Sequence, residues 1–282
     1  MFNGGGRKRG QDTNLPIEKF SLVRPIVRGV EPSPRSCIIT IELEAHRTPF
    51  SATFLVLGGW CRGECNEVVL DKYFMDAYTL RVEMDESLLA LGTQSITLDW
   101  TNCPISGQSP ANRVGYSANL CKDSIIIFGG GRLWTDGVVY NDLWTIDMTT
   151  MAWRKLNPQG TPPRPRQGHV SISLPGGVDI AILGGTDNAG VEHLEDVHIL
   201  HCPRVTSRAG SYRWSTPQLG AARCCPYSYM SAVAVEGQDG GSVLLFGGSC
   251  WNDHAAYVSN ESYRYVESFF WSIPAPSCNL RA

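Results

Sequence analysis

An apolar run ending in a glycine pair occurs four times in this chain, each time followed by a tryptophan. The copies are Phe54-Leu55-Val56-Leu57-Gly58-Gly59 with Trp100, Ile125-Ile126-Ile127-Phe128-Gly129-Gly130 with Trp153, Ile180-Ala181-Ile182-Leu183-Gly184-Gly185 with Trp214, and Val243-Leu244-Leu245-Phe246-Gly247-Gly248 with Trp271. The first glycines of successive copies lie 71, 55 and 63 residues apart. A unit of this length that recurs is one supersecondary module stacked several times. Glycine accepts positive φ and lets a neighbouring backbone approach closely, which suits the crowded ends of strands converging on an axis. A tryptophan supplies the bulk that fills the gap between adjacent modules.

The second copy shows the module in full. Val114 to Leu120 opens it, as Gly168 to Leu174 opens the third. Ser124 to Phe128 is a β-branched run suited to burial on both faces. Tyr140 to Asp147 alternates with a period of two, and Met151 to Leu156 forms a last segment across the short link Thr149-Thr150. Four such strands make one antiparallel sheet. The 29 glycines and 17 prolines fit many short strands joined by turns. Between units run Pro/Arg segments: Pro32-Ser33-Pro34-Arg35, Pro110-Ala111-Asn112-Arg113, Pro162-Pro163-Arg164-Pro165-Arg166, and the weaker Ala221-Ala222-Arg223.

These residues resemble the kelch repeat, whose pattern runs Pro-Arg-x-Gly-His, apolar run, Gly-Gly, Asn-Asp, then Trp. Gly168-His169 after Arg166, Gly129-Gly130, Asn141-Asp142 and Trp153 carry the likeness, which extends over roughly residues 20 to 272. The resemblance implies an all-β fold, a kelch-type β-propeller with four recognisable four-stranded blades. It also implies a protein-interaction module that binds a partner protein or peptide through loops at one face, as an adaptor or substrate-recognition subunit. The adaptor role rests on fold-level analogy alone. Carried over by position, the arginines Arg35, Arg113, Arg166 and Arg223 are candidate contacts for an acidic partner, since a guanidinium grips carboxylate in bidentate fashion. Each has a competing role, bonding its own neighbouring loops. Trp60, Trp134 and Trp251, just past glycine pairs, are candidate hot spots, with Arg62, Arg132, Asp187, Asn188 and Asn252 as additional contacts.

The copies also differ. The first is long, with Trp100 lying 42 positions after Gly58, which predicts a protruding loop at 60–72 or 83–93. The third has Glu195-Asp196 in place of Asn-Asp and an insertion at 202–211. The fourth has Cys224-Cys225-Pro226 where Gly-His is expected. Residues 16–274 are read as the propeller, 1–15 as a disordered segment and 275–282 as a tail. Phe20 to Arg24 reads as an orphan outer strand. Four units and a fraction leave three possibilities: a tight four-blade ring, an incomplete propeller, or self-association of an open one.

A net charge of −3 gives no electrostatic reason to expect nucleic acid or an anionic membrane as partner. No secretory signal is visible in the first twenty residues, so the expectation is a cytoplasmic or nuclear setting with mostly reduced thiols. No cofactor is expected. His193, His198 and His201 cluster with Glu192, Glu195 and Asp196, but a strand points His198 and His201 to opposite faces. Glu192 and Asp196 match the first step of an iron-binding pattern seen in some kelch-type plant proteins, yet position 200 is leucine. Ten scattered cysteines lack paired zinc spacing. The alternative to a binding module is an enzyme on the same scaffold, a metal-dependent oxidase or a sugar isomerase.

Overall fold

A computed structural model of the chain describes residues 24–43, 47–65, 68–85, 95–132, 137–174, 178–187, 192–203, 211–217, 228–235, 242–246 and 248. Every regular element among them is a strand. Blade 1 joins β1 (Ile26–Gly29), β2 (Ile39–Glu42), β3 (Ser51–Cys65), β4 (Val68–Met84) and β5 (Ile96–Asn102) in the order β1-β5-β4-β3-β2. Blade 2 is the antiparallel meander β6 (Val114–Cys121), β7 (Ser124–Gly131), β8 (Leu143–Asp147) and β9 (Ala152–Leu156). Blade 3 orders β10 (Val170–Ser173), β11 (Asp179–Leu183), β14 (Val197–His201) and β15 (Arg213–Ser215), with the short arm β12 (Thr186–Asp187) and β13 (Glu192–His193) projecting from its centre. Of blade 4, the described part is the pair β16 (Ser231–Val235) and β17 (Ser242–Phe246). The four-stranded unit read from blade 2 is thus the observed one. Its hairpin at 149–150 is closed by Asp147, whose carboxylate accepts from the backbone N–H groups of Thr149 and Thr150, both at 2.9 Å.

Alternation sorts the apolar residues of each central strand onto two faces, and each face meets a different neighbour. Leu55, Leu57 and Ala77 of blade 1 pack on Ile125, Ile127, Trp144, Ile146 and Trp153 of blade 2. Ile126, Phe128 and Leu143 turn the other way, onto Ile180, Ile182, Leu200 and Trp214 of blade 3. Ala181, Leu183, Val197 and Ile199 then meet Val243 and Leu245 of blade 4. Trp153 and Trp214 therefore fill the gap towards the preceding blade, as expected of them. Phe54, Val56, Leu80 and Trp100 share the face of blade 1 that turns away from blade 2.

The chain enters blades 1, 2 and 3 along their outer edges. β1 runs parallel to β5, pairing Gly29 with Trp100, and single parallel bridges repeat this at Ser106 with Ala152 and at Gln159 with Arg213. At each entry a glycine has φ near +80°, namely Gly29, Gly107 and Gly160. A Cβ on Gly29 or Gly160 would stand 1.9 or 2.5 Å from the carbonyl oxygen of Trp100 or Trp214. This third recurring glycine lies two or three residues before the linker prolines, and that spacing was its signal in the sequence. The expected orphan strand at 20–24 lies mostly outside the described residues; the pairing strand begins at Ile26.

Candidate functional site

The glycine pairs and recurring arginines form one device, used three times. Gly58, Gly129 and Gly184 all have φ between 59° and 68°, which breaks the strand pairing and turns a carbonyl towards the arginine of the same blade. Arg35, Arg113 and Arg166 donate to those carbonyls at 3.2, 3.1 and 3.0 Å. Each also donates from Nε to a carbonyl two residues back: Ser33, Ala111 and Arg164. Each pairs with one aspartate, Asp76, Asp142 or Asp196. The Arg166 pair is bidentate, at 2.6 and 2.7 Å. The guanidinium planes of Arg35 and Arg113 stack on Phe74 and Tyr140, 3.7 and 3.8 Å from the ring centres.

Burial decides what these arginines do. The Arg113 and Arg166 side chains are 1% and 0% exposed, and that of Arg35 is 5% exposed. Their donors bind acceptors within the same blade, and no guanidinium face is presented to a partner. Burial raises the Asp142 carboxyl, but hydrogen bonds from Arg113 and Trp144 outweigh this and hold it below the ordinary carboxylate range. Burial likewise raises Asp196, and hydrogen bonds from Arg166 and His198 outweigh it more strongly. The role that competed with partner binding, bonding neighbouring loops, is the one the geometry supports for Arg35, Arg113 and Arg166.

Arg223 lies outside the described residues. Tyr229 bonds Gly168 as Gly168 bonds Gly115, through N–H to carbonyl contacts of 2.6 and 2.8 Å. Tyr229 therefore occupies the position of Gly168. The Gly-His site of blade 4 is Tyr229-Met230, not Cys224-Cys225. At this innermost position Cys37, Gly115, Gly168 and Tyr229 all have φ between 56° and 65°. A cysteine and a tyrosine hold a left-handed conformation that favours glycine.

The repeat histidine is also structural. His169 Nε2 meets Ser117 Oγ at 2.8 Å across the blade 2–blade 3 seam, and the ring packs edge-on to Phe128. His198 bonds Asp196 and His201 bonds Asp179, each at 2.9 Å, so these two histidines serve different carboxylates. Glu192 is engaged by Arg164 and Asp196 by Arg166. Among the described residues no cluster of three metal-ligating side chains occurs.

The surface that varies is the set of arms continuing past the glycine pairs. All extend the two central strands of a blade beyond the same pair, so they share one end of the stack. In blade 3 the arm is β12–β13, where exposed Arg164 bonds Glu192 with both terminal nitrogens. In blade 2 it is a tight return, Gly131 bridging Val139 and Arg132 N–H donating to Val138. In blade 1 the expected protruding loop is a two-stranded ribbon, with Trp60 opposite Tyr73 and pairing continued to Cys65 opposite Val68. Six paired residues a side reach about 20 Å. The register shifts between Leu57 and Gly59, and a bulge of this kind re-aims side chains; it brings Asp76 to Arg35. On the ribbon Arg62 is 55% exposed, bonds Asp71 at 3.2 Å and lies 5.8 Å from the Trp60 ring. Trp60 is half-buried at the ribbon's root, its backbone bridging Ser36. Trp134 and Trp251 lie outside the described residues.

Comparison with known proteins agrees with this architecture. Residues 2–248 match the KLHDC2/KLHL20/DRC7 Kelch-repeats domain family, and the chain belongs to it. It is 31% identical over 157 residues to human Kelch domain-containing protein 3, covering 53% of this chain and 36% of that protein. It is 31% identical over 90 residues to the bovine Rab9 effector protein with kelch motifs, covering 32% of this chain and 24% of that one. Against the Rho GTPase-activating protein gacHH of Dictyostelium discoideum, identity is 32% over 119 residues, 42% of this chain and 8% of the relative. The matched parts are thus minor shares of longer proteins. Among solved structures, a chain from a cryo-EM structure of RAG with one melted and one unmelted RSS superposes with a TM-score of 0.56 at 17% identity, covering 80% of this chain and 63% of the other. That likeness is one of fold. Kelch repeats generally serve as protein-interaction modules.

Proposed function

We propose that this kelch domain captures a protein partner at the end where the arms project past the glycine pairs, with the blade 1 ribbon as the principal contact. The observation that carries the reading is a contrast in exposure. The repeat arginines are enclosed, whereas the ribbon carries exposed Arg62 and Lys72 on the longest paired arm among the described residues. A paired ribbon is ordered before binding, so less entropy is lost when it docks. Trp60 at its root offers a large rigid surface beside a cation, a combination enriched at the energetic centres of interfaces. Arg62 and Lys72 offer local contacts to carboxylates of the partner, in a segment whose sequence also carries Glu64, Glu67 and Asp71. An adaptor or substrate-recognition role follows if the partner is handed to another module of a longer protein.

The test replaces residues 61–72 by Asn-Gly, which closes Trp60 and Tyr73 into a two-residue hairpin. Proteins retained from cell extract by the wild-type chain are identified by mass spectrometry and compared with those retained by the variant. The expected result is loss of the specific partner at an unchanged urea midpoint. Equal retention by both chains would move the binding surface elsewhere.

A further inference from the structure

Two buried cysteines from different blades meet at the seam between blades 2 and 3. Cys121 ends β6, and its thiol lies 3.7 Å from the carbonyl oxygen of Val178, at the entrance to β11. Cys202 follows β14, whose last residue, His201, pairs with Asp179. Both cysteines therefore converge on Val178 from the two sides of the seam. Each thiol is the largest influence on the other's titration. Both belong to the cluster that seals the two blades, with Phe128, Leu200 and Trp214, and both are free thiols in this structure. Tyr212 packs against the same cluster.

We propose that Cys121 and Cys202 form a peroxide-sensitive thiol pair that closes into a disulfide across the blade 2–blade 3 seam. The neighbouring Cys202 thiol, helped by the charge of Lys122, draws the Cys121 thiol down in pKa against the effect of burial. The Cys121 thiol, and then burial, push Cys202 up. Cys121 is thus the sulfur that attacks and Cys202 the one that resolves. Cys121 thiolate displaces hydroxide from hydrogen peroxide, giving Cys121–SOH and, with one proton, water. The Cys202 sulfur then attacks Cys121 Sγ. The S–OH bond breaks, the departing hydroxide takes the Cys202 proton, and a second water leaves. Two thiols are oxidised, and the two electrons reduce one peroxide. The product links positions 81 apart in sequence, and a cross-link of that span chiefly restricts the unfolded chain.

Peptide mapping of the intact chain tests this directly. Trypsin releases 114–122 and 167–204, each with a single cysteine, Cys121 and Cys202. After mild hydrogen peroxide treatment the two peptides should appear as one species, two hydrogens lighter than their sum, which dithiothreitol separates. The melting temperature should rise by about 5 °C in the wild type and remain unchanged in Cys202→Ala. Exposed Cys37 reports that oxidant reached the protein. The proposal fails if Cys37 is oxidised while Cys121 and Cys202 both remain open to alkylation, or if either joins a different cysteine. Should Cys202→Ala not fold, the wild-type map alone decides.

Discussion

Arg166 and Arg62 each face an aspartate, in surroundings that give the pairs opposite uses. The Arg166 side chain is wholly enclosed, holds Asp196 with two nitrogens and also binds the Gly184 carbonyl. Arg62, on the blade 1 ribbon, is 55% exposed and reaches Asp71 with one nitrogen at 3.2 Å. A buried pair fixes the chain because either charge, left alone, is costly. An exposed pair adds little to stability and leaves the cation free to exchange partners. The recurring arginines of this chain therefore build the blades, whereas the ribbon cation stays open to solvent.

Arg166→Ala should have the largest effect on this contrast. It leaves a half-buried Asp196 and a bare Gly184 carbonyl, and should lower unfolding free energy by about 3 kcal/mol or more in urea titration. Next is the pH dependence of the same seam. Burial first, and then the Arg166 charge, hold His169 at about 3 against its ordinary 6.5. Between those values the unfolded chain binds a proton that the native one does not, so stability falls as pH drops from 6.5 towards 3. His169→Gln should flatten that slope in midpoints measured across the range. A further loss should appear as pH falls below about 4, where the depressed carboxyls of Asp142 and Asp196 begin to lose an advantage present only above the ordinary value. Arg35→Ala should cost about 1–2 kcal/mol, because its one contact to Asp76 is partly open to water. Arg62→Ala should change stability by less than about 0.5 kcal/mol while weakening partner retention. An equal stability loss for Arg62 and Arg166 would erase the distinction.

The blades were legible because their signals are local. Glycine pairs, alternating strands and tryptophans lie within a few residues of the structure they specify, and the three clusters between blades follow from alternation alone. The arginine partners were less so. Asp142 and Asp196 sit in the expected acidic position, but Asp76 lies beyond a ribbon that separates it from Gly58 by 18 residues. The ribbon was foreseen as an excess of length, but not as paired strand, because pairing between Trp60 and Tyr73 depends on register set at the bulge. The blade 4 Gly-His position was misplaced for a related reason. Cys224-Cys225 follows a linker-like segment, whereas the true equivalent of Gly168 is Tyr229, a residue type that gives no hint of positive φ. The thiol pair had no local signal, since its members come together only when blades 2 and 3 stack.

The most direct test is the urea midpoint of Arg166→Ala, read beside partner retention by the fraction that remains folded. The architectural role predicts a large drop in midpoint with retention per folded molecule unchanged. A wild-type midpoint with retention abolished would contradict it and return the repeat arginines to the binding surface.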